Sequence, residues 1–563
     1  MRVARIHFLI RLVPLRDTGK LTSMHDAVAA KAPHRRRDVA EFATASAPTF
    51  AELALVSASA LLAILAFPDF DLWFLAWVAL VPLIFLLTQT PKAGRAFLLG
   101  WAWGVIFYYG SHWWLTYPMI HYGHISAWIA YPLLALPVVL VAIFPALFCV
   151  FLSRLIDRFG LAMMLAAPLI WVSLDWVRYA VTGLVWNALG YSQAFHPLLI
   201  QTARWGGVYA VTFVLVLTNC AIVLLLMRRL KLGVAGIILV AALVFVASYG
   251  ARRSPPPDTN RSVSGVAIAI QPNVPMEMTD EVSEMKSLRE RHLSMSKATL
   301  GDLENGVAVD PSMRNLPRLV IWPESPMNFT YSRDSELRNA LTSFAQTNRT
   351  AILLNSLEPA GKDGSHNSAI LVNEEGRISA QYDKIRLMPF GEYVPLPHWL
   401  PGASSVRGIV GDFTPGSSYT LMPLGDLRAG VFICIEAAHP AIAGTFTRNG
   451  AEVLINISND GYLGPTPVMR QHLSNAIFRA VENNRPLIRV TNSGLSAYID
   501  ANGWVWDQTP GFTQATRTWP IAKEDRSTTF YTRHGDLFVY ACALISLGFI
   551  SATFLSRRRY RRG

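Results

Sequence analysis

Apolar residues fall into long unbroken runs over the first half of the chain and into short, interrupted ones over most of the second. Runs near 49–66, 72–89, 96–112, 127–153, 161–178, 207–227 and 233–249, with an eighth at 537–555, approach the roughly 17–25 residues a helix needs to cross about 30 Å of hydrocarbon. They predict a multi-span α-helical membrane domain of about eight helices. From about 257 to 530 no such run occurs, and short apolar segments alternate with Gly/Asn turns and amphipathic stretches. Strands are expected at Val266–Ile270, Leu319–Trp322, Ala351–Asn355, Ala369–Val372, Ala429–Ile433, Glu452–Ile457, Leu487–Val490 and Ser496–Ile499. Helices are expected near 281–300, 335–347, 440–449 and 467–484. Hairpin signals at Glu375-Gly376 and Asn502-Gly503 complete an α/β domain with mixed sheets, inserted between the seventh and eighth spans. The expected division is a basic tail 1–47, helices over 48–250, the α/β domain 257–530, a last helix 537–555 and a basic tail 556–563.

Composition supports the membrane reading: 52% of the 563 residues are hydrophobic and 16% charged, against about 25% charged in soluble domains. A wholly soluble protein is not expected, and a disordered chain, a disulfide scaffold and a collagen-like fibre are excluded. The net charge of +12 raises the question of nucleic acid. Arg35, Arg36 and Arg37 precede the first run, however, and Arg557, Arg558, Arg559, Arg561 and Arg562 follow the last. That placement suits membrane topology, and no nucleic-acid partner is expected. Lys92 and Arg95, then Arg154 and Arg158, then Arg228, Arg229 and Lys231 follow the second, fourth and sixth runs, whereas the loops after the first and third carry no Lys or Arg. The positive loops and both termini are therefore expected in the cytoplasm and the α/β domain outside it. Trp113, Trp114, Trp171 and Trp176 near run ends read as interfacial anchors. Asp175 and Arg178, one helical turn apart, read as an ion pair or a headgroup site.

Three polar residues stand in or just after strand-like sequence: Glu324 in Ile-Trp-Pro-Glu-Ser-Pro, Lys384 in Tyr-Asp-Lys-Ile-Arg-Leu and Cys434 in Val-Phe-Ile-Cys-Ile-Glu. Strand ends are where open α/β sheets place ligands. Together they supply a base, a cation and a thiol, the parts needed for thioester chemistry. A thiolate attacks, Glu324 takes the thiol proton, and Lys384 stabilises the tetrahedral oxyanion. The helix expected from about Pro440 would favour the thiolate if its N-terminus points there. His472, with no Cys or His at ligand spacing, is not expected to bind a metal, and no Walker or dinucleotide loop appears.

Ile-Trp-Pro-Glu-Ser, Tyr-Asp-Lys with Leu-Met-Pro-Phe-Gly-Glu-Tyr-Val-Pro, Ile-Cys-Ile-Glu and Ser-Asn-Asp-Gly-Tyr-Leu-Gly, in this order, resemble the carbon-nitrogen hydrolase (nitrilase) superfamily. The Pro-Phe-Gly-Glu-Tyr-Val-Pro string and the surrounding spans narrow the resemblance to its membrane-embedded branch, the bacterial apolipoprotein N-acyltransferases. The resemblance implies a nitrilase-like four-layer sandwich on the periplasmic side of the inner membrane, with Glu324, Lys384 and Cys434 as the triad. It implies Glu392 and Glu436 as supporting acids, Glu392 positioning the lysine. It also implies substrate contacts from Trp186, Tyr191, Phe390, Trp399, Ile435, Asn459 and Tyr462. Ile435 stands where relatives often have Tyr, and Tyr462-Leu463 where they often have Trp-Phe. The implied partners are a phospholipid acyl donor, diacylglyceryl apolipoproteins and the bilayer, with the chain a monomer and no metal or cofactor involved. The segment from Val394 to Pro415 is expected to exclude water from the thioester. A membrane-tethered amidase, and a transporter with a degenerate outer domain, are the competing readings.

Overall fold

The computed structural model describes residues 47–89, 92–249, 251, 263–276, 282–305, 315–324, 329–361, 364–389, 391–394, 413–522 and 527–560. The helical part comprises α1 (Phe50–Leu65), α2 (Val81–Gln89), α3 (Ala93–His112), α4 (Ala127–Val141), α5 (Ile143–Phe159), α6 (Ala167–Thr182), α7 (Ala203–Leu226) and α8 (Leu230–Ser248). Among the described residues, four helical stretches are long and apolar enough to cross a membrane: Ala127–Phe159, Leu161–Thr182, Ala203–Leu226 and Leu230–Ser248. The apolar stretches Phe50–Leu65, Trp73–Gln89 and Leu537–Thr553 are shorter.

Three runs expected to form single helices are broken, 161–178 among them, since Leu161–Ala166 is a 3-10 stretch ahead of α6. Residues 72–89 begin as a five-residue 3-10 turn, Trp73–Trp77, before α2 starts at Val81. The backbone groups freed at the break are taken by Asn219 of α7, which accepts from Leu80 N–H at 2.8 Å and donates to Ala76 C=O at 3.0 Å. Such internal satisfaction is what allows a non-helical turn among apolar helices. The run 127–153 is divided at Ala142 into α4 and α5, where Pro145 has no N–H for the Val141 carbonyl and its ring crowds it. At the start of α7, Gly206 and Gly207 leave helical geometry, Gly207 at φ +63°. Glu482, from the α/β domain, then accepts the Val208 N–H at 3.1 Å, capping the helix from outside the bundle.

The α/β domain contains α9 (Val282–Glu304), α10 (Ser335–Asn348), α11 (Pro440–Arg448) and α12 (Val468–Asn483), and α13 (Leu537–Tyr560) follows it. Its strands are β1 (Val263–Gln271), β2 (Arg318–Ile321), β3 (Ala351–Ala360), β4 (Gly364–Val372), β5 (Ile378–Asp383), β6 (Leu421–Leu424), β7 (Leu427–Ile433), β8 (Val453–Ser458), β9 (Leu487–Thr491), β10 (Ala497–Ile499), β11 (Val505–Trp506) and β12 (Ala515–Ala522). They form two six-stranded sheets, β12-β1-β2-β3-β4-β5 and β11-β10-β9-β8-β7-β6. The pairs among β1, β2 and β3 and among β7, β8 and β9 are parallel, and the outer pairs are antiparallel.

Strand alternation sorts the core into layers. Val266, Ile268, Val320 and Ile352 pack with Leu300 of α9 and Leu337 and Leu341 of α10, whereas Ala267, Ala269, Leu319 and Leu353 join the second sheet's Val431 and Ile455. The second sheet is covered by α11 and α12; Gly430 permits this, since a Cβ there would lie 2.7 Å from Phe446 Cβ. The result is a four-layer α-β-β-α sandwich, with α12 packing against α7 of the helical part.

Candidate active site

The chain leaves β2, β5 and β7 through the residues that carry the chemistry. Glu324 follows β2 by three residues, Lys384 follows β5 directly, and Cys434 follows β7 directly. All three line one cavity of about 360 Å³. Cys434 opens a tight 3-10 turn, Cys434–Ala438, at φ +50°. A non-glycine residue in that region is strained and is held by its surroundings. Here the holding groups are His472, whose Nε2 reaches the Cys434 carbonyl at 3.0 Å, and Glu436, which accepts the Ile433 N–H at 2.8 Å.

The carboxylates and the lysine form one hydrogen-bonded network. Lys384 Nζ, 1% exposed, lies 2.9 Å from Glu392 Oε1 and 3.4 Å from Glu324 Oε1. Asn367 Nδ2 bridges the same two oxygens, at 2.7 Å to Glu392 and 2.9 Å to Glu324, and its own Oδ1 accepts from Asn355 at 2.7 Å. The other Glu324 oxygen accepts the Asn459 N–H at 3.0 Å, and the other Glu392 oxygen the Met388 N–H at 2.7 Å. Burial opposes the Lys384 charge, but Glu324 and Glu392 outweigh it and hold the ammonium above the ordinary lysine range. Burial first, then the Glu324 charge, pushes the Cys434 thiol up despite Lys384. Burial and the neighbouring carboxylates thus favour the thiol over the thiolate.

Behind Cys434, His472 Nδ1 meets Asp460 Oδ1 at 2.9 Å, and Arg489 holds the same carboxylate at 2.8 and 3.0 Å. Burial acts against the Asp460 charge, yet Arg489 and His472 prevail and keep its carboxyl below the usual range. Glu436 lies outside the cavity lining, fully buried. It accepts from Tyr382 OH at 2.7 Å and from the Ile385 and Arg386 N–H groups at 2.8 and 3.0 Å, tying the nucleophile turn to the lysine segment.

The helical part supplies a further part of the lining. Trp114 and Trp186 both donate to Gln471 Oε1, at 3.1 and 3.0 Å, with their ring centroids 5.6 Å apart. Arg178, paired with Asp175 at 3.2 Å, also donates to the Trp186 carbonyl at 3.1 Å. The pair that read as an ion pair or a headgroup site is thus a buried ion pair that fixes this loop. Tyr462 also lines the cavity and stacks on Tyr122, with centroids 5.2 Å apart.

Of the residues expected to contact substrate, Trp186, Ile435, Asn459 and Tyr462 line the cavity. Tyr191 does not: its hydroxyl meets Arg479 at 3.3 Å and its ring packs edge-on against Phe478. Phe390, Trp399 and most of the segment Val394 to Pro415 lie outside the described residues. Trp114 and Trp171 are not interfacial anchors. Trp114 is a buried cavity wall, and Trp171 is packed between Trp103 and Phe148. Asn355, Asn367, Asp460, Gln471 and His472 were missed. The signal for Asn355, Asn367, Gln471 and His472 was a polar residue within a strand or helix, a pattern that also fits ordinary core hydrogen bonding, and Asp460 stands in the Ser-Asn-Asp-Gly motif just after β8.

Comparison with known proteins agrees with both halves. Residues 59–221 match the family described as apolipoprotein N-acyltransferase N-terminal domain, and residues 308–529 match carbon-nitrogen hydrolase. The chain is 31% identical over 501 residues to the apolipoprotein N-acyltransferase of Geobacter metallireducens, covering 86% of this chain and 92% of that one. The chain belongs to the apolipoprotein N-acyltransferase family. It is likewise 31% identical over 450 residues to the Allorhizobium ampelinum apolipoprotein N-acyltransferase, covering 76% and 81% of the two chains. Among solved structures, an amidase from Nesterenkonia sp. is similar at 15% identity and a TM-score of 0.35, covering 51% of this chain and 98% of the amidase.

Proposed function

We propose that this membrane enzyme takes an acyl chain from a phospholipid onto Cys434 and passes it to the α-amino group of a diacylglyceryl-cysteine lipoprotein. The observation that carries the reading is one cavity lined both by Glu324, Lys384 and Cys434 and by the helical part's Trp114 and Trp186. Because Lys384 is held protonated and Cys434 rests as a thiol, Glu324 is the group to accept the thiol proton. Cys434 Sγ bonds to the ester carbonyl carbon, and Lys384 faces the oxyanion. The carbon–oxygen ester bond then breaks, and Glu324 returns its proton to the departing lysophospholipid oxygen. In the second half, the acceptor amine attacks the thioester, Glu324 takes the amine proton, and the sulfur leaves and is reprotonated. Glu392 and Asn367 are positioning residues for Lys384 and Glu324.

The charges of the short loops support an orientation with both termini in the cytoplasm and the α/β domain on the periplasmic face of the inner membrane. The experiment is transfer of labelled acyl chains from phospholipid to a diacylglyceryl peptide. Cys434→Ala and Cys434→Ser should both lose turnover by roughly 10³-fold or more, as expected when the nucleophile is removed. Transfer near the parent rate by either variant would contradict the covalent path.

A further inference from the structure

A second cavity, also about 360 Å³, lies at the seam between the helical part and the α/β domain and shares no lining residue with the Cys434 cavity. Tyr209 of α7 lines it and is 1% exposed, and its hydroxyl has no hydrogen-bond partner among the described residues. A buried, unpartnered hydroxyl on a residue that lines a cavity points to a polar ligand group there. The first turn of α11, Pro440 and Ala441, forms one side, and a helix N-terminus favours negative charge.

The remaining rim is basic. Arg448, Arg533 and His534 line the cavity and are exposed. Arg448 is fixed by bonds to the Thr532 carbonyl at 3.0 Å and Thr445 Oγ1 at 2.7 Å, which use two of a guanidinium's five N–H donors. Arg533 is anchored through Nε to the Thr529 carbonyl at 3.3 Å. The carboxylate in the lining, Asp536, is already engaged, one oxygen by Tyr531 OH at 3.1 Å and the other by Trp176 Nε1 at 3.2 Å. Directly beside this basic rim α13 begins. Its Leu537 and Tyr540 are exposed, and Tyr540 sits edge-on to Trp176 at 5.3 Å. Arginine forks above an aromatic and aliphatic band suit a phosphate group at the level of lipid headgroups.

We propose that the seam cavity binds the phosphate of a membrane phospholipid, with Arg448 and Arg533 as its forks and the Tyr209 hydroxyl as its inner donor, apart from the site of acyl transfer. The test uses full-length Cys434→Ala protein in maltoside micelles with a phosphatidylglycerol probe whose headgroup is photoreactive, and adducts are mapped by peptide mass. Adducts at 440–448 and 530–540 report this site, whereas adducts around 434 report the acyl-transfer reading, so each can fail without the other. Arg448→Gln with Arg533→Gln should lower seam labelling about tenfold or more, and Tyr209→Phe about threefold, the scale of lost charge-assisted and neutral hydrogen bonds. Tyr209→Phe removes one oxygen, so its result stands even where the double arginine variant fails to fold. Competition by millimolar inorganic phosphate as effective as that by unlabelled lipid would identify the source as free phosphate, and the lipid assignment would fall. Equal seam labelling by a phosphate-free diacylglycerol probe, or parent-level labelling in Tyr209→Phe and in a folded arginine variant, would overturn the site.

Discussion

The two walls of the Cys434 cavity are built on opposite principles. On the α/β wall, Glu324, Lys384, Glu392 and Asn367 hold one another through direct hydrogen bonds of 2.7 to 3.4 Å. On the helical wall, Trp114 and Trp186 offer aromatic faces, and the polar restraint the two indoles share is one amide oxygen, Gln471, lent by the α/β domain, with Trp114 also donating to the Ser111 carbonyl at 3.1 Å. The charged wall fixes atoms to the tolerance bond-making needs, whereas the aromatic wall fixes only the position of broad apolar surfaces. This division predicts that damage to the first should appear in the chemical step and damage to the second in substrate binding.

The largest expected effect is on the charged wall. Lys384→Ala should slow formation of the Cys434 adduct by roughly 10² to 10³-fold, the cost of losing an oxyanion donor, with KM for phospholipid little changed. A loss confined to KM would erase the distinction between the walls. Next is the support behind the nucleophile. Because the Asp460 carboxyl is held below its ordinary range, its contribution to stability is complete above an unfolded value of about 4 and is lost as pH falls through the folded value. Asp460→Asn should therefore destabilise the protein by about 3 kcal/mol at neutral pH and flatten the fall in melting temperature below about pH 4, read by thermal unfolding in detergent. An unchanged melting profile would remove Asp460 from the support of the turn. The smallest effects compare two aromatic residues. Trp186→Phe, which deletes the bond to Gln471, should raise the phospholipid KM several-fold, whereas Tyr191→Phe should cost about 1 kcal/mol of stability and leave KM unaltered. Equal effects on KM would place Tyr191 at the substrate after all.

What the sequence makes legible follows the strength of the physical signal. The eight strands expected from apolar pattern are all present, and the other four are the four sheet edges: β5 and β11 follow the hairpin signals at Glu375-Gly376 and Asn502-Gly503, whereas β6 and β12 were not anticipated. Edge strands bury less, tolerate proline and are often short. Pro423 lies in β6, Pro520 in β12, and β11 has two residues. Glu324, Lys384 and Cys434 stand out because motifs mark strand ends. Asn367 and His472 do not, since only the folded register shows that Asn367 bridges two carboxylates and that His472 meets the nucleophile's carbonyl. Tyr191 was assigned to the substrate by the resemblance alone, and Trp171 was misplaced for a related reason. An amphipathic aromatic near a helix end reads alike whether it faces lipid, substrate or core, and both face the core.

The central claim is that the cavity makes a thioester at Cys434 with Glu324 as base, before any acceptor arrives. It is tested most directly by the intact mass of purified protein incubated with phospholipid alone, for the parent and for Glu324→Gln. The account predicts one added acyl chain on the parent, located at Cys434 and discharged by a diacylglyceryl peptide, and none on Glu324→Gln over the same interval. An unmodified parent that still transfers acyl chains to the peptide, or an adduct that forms equally in Glu324→Gln, would contradict it.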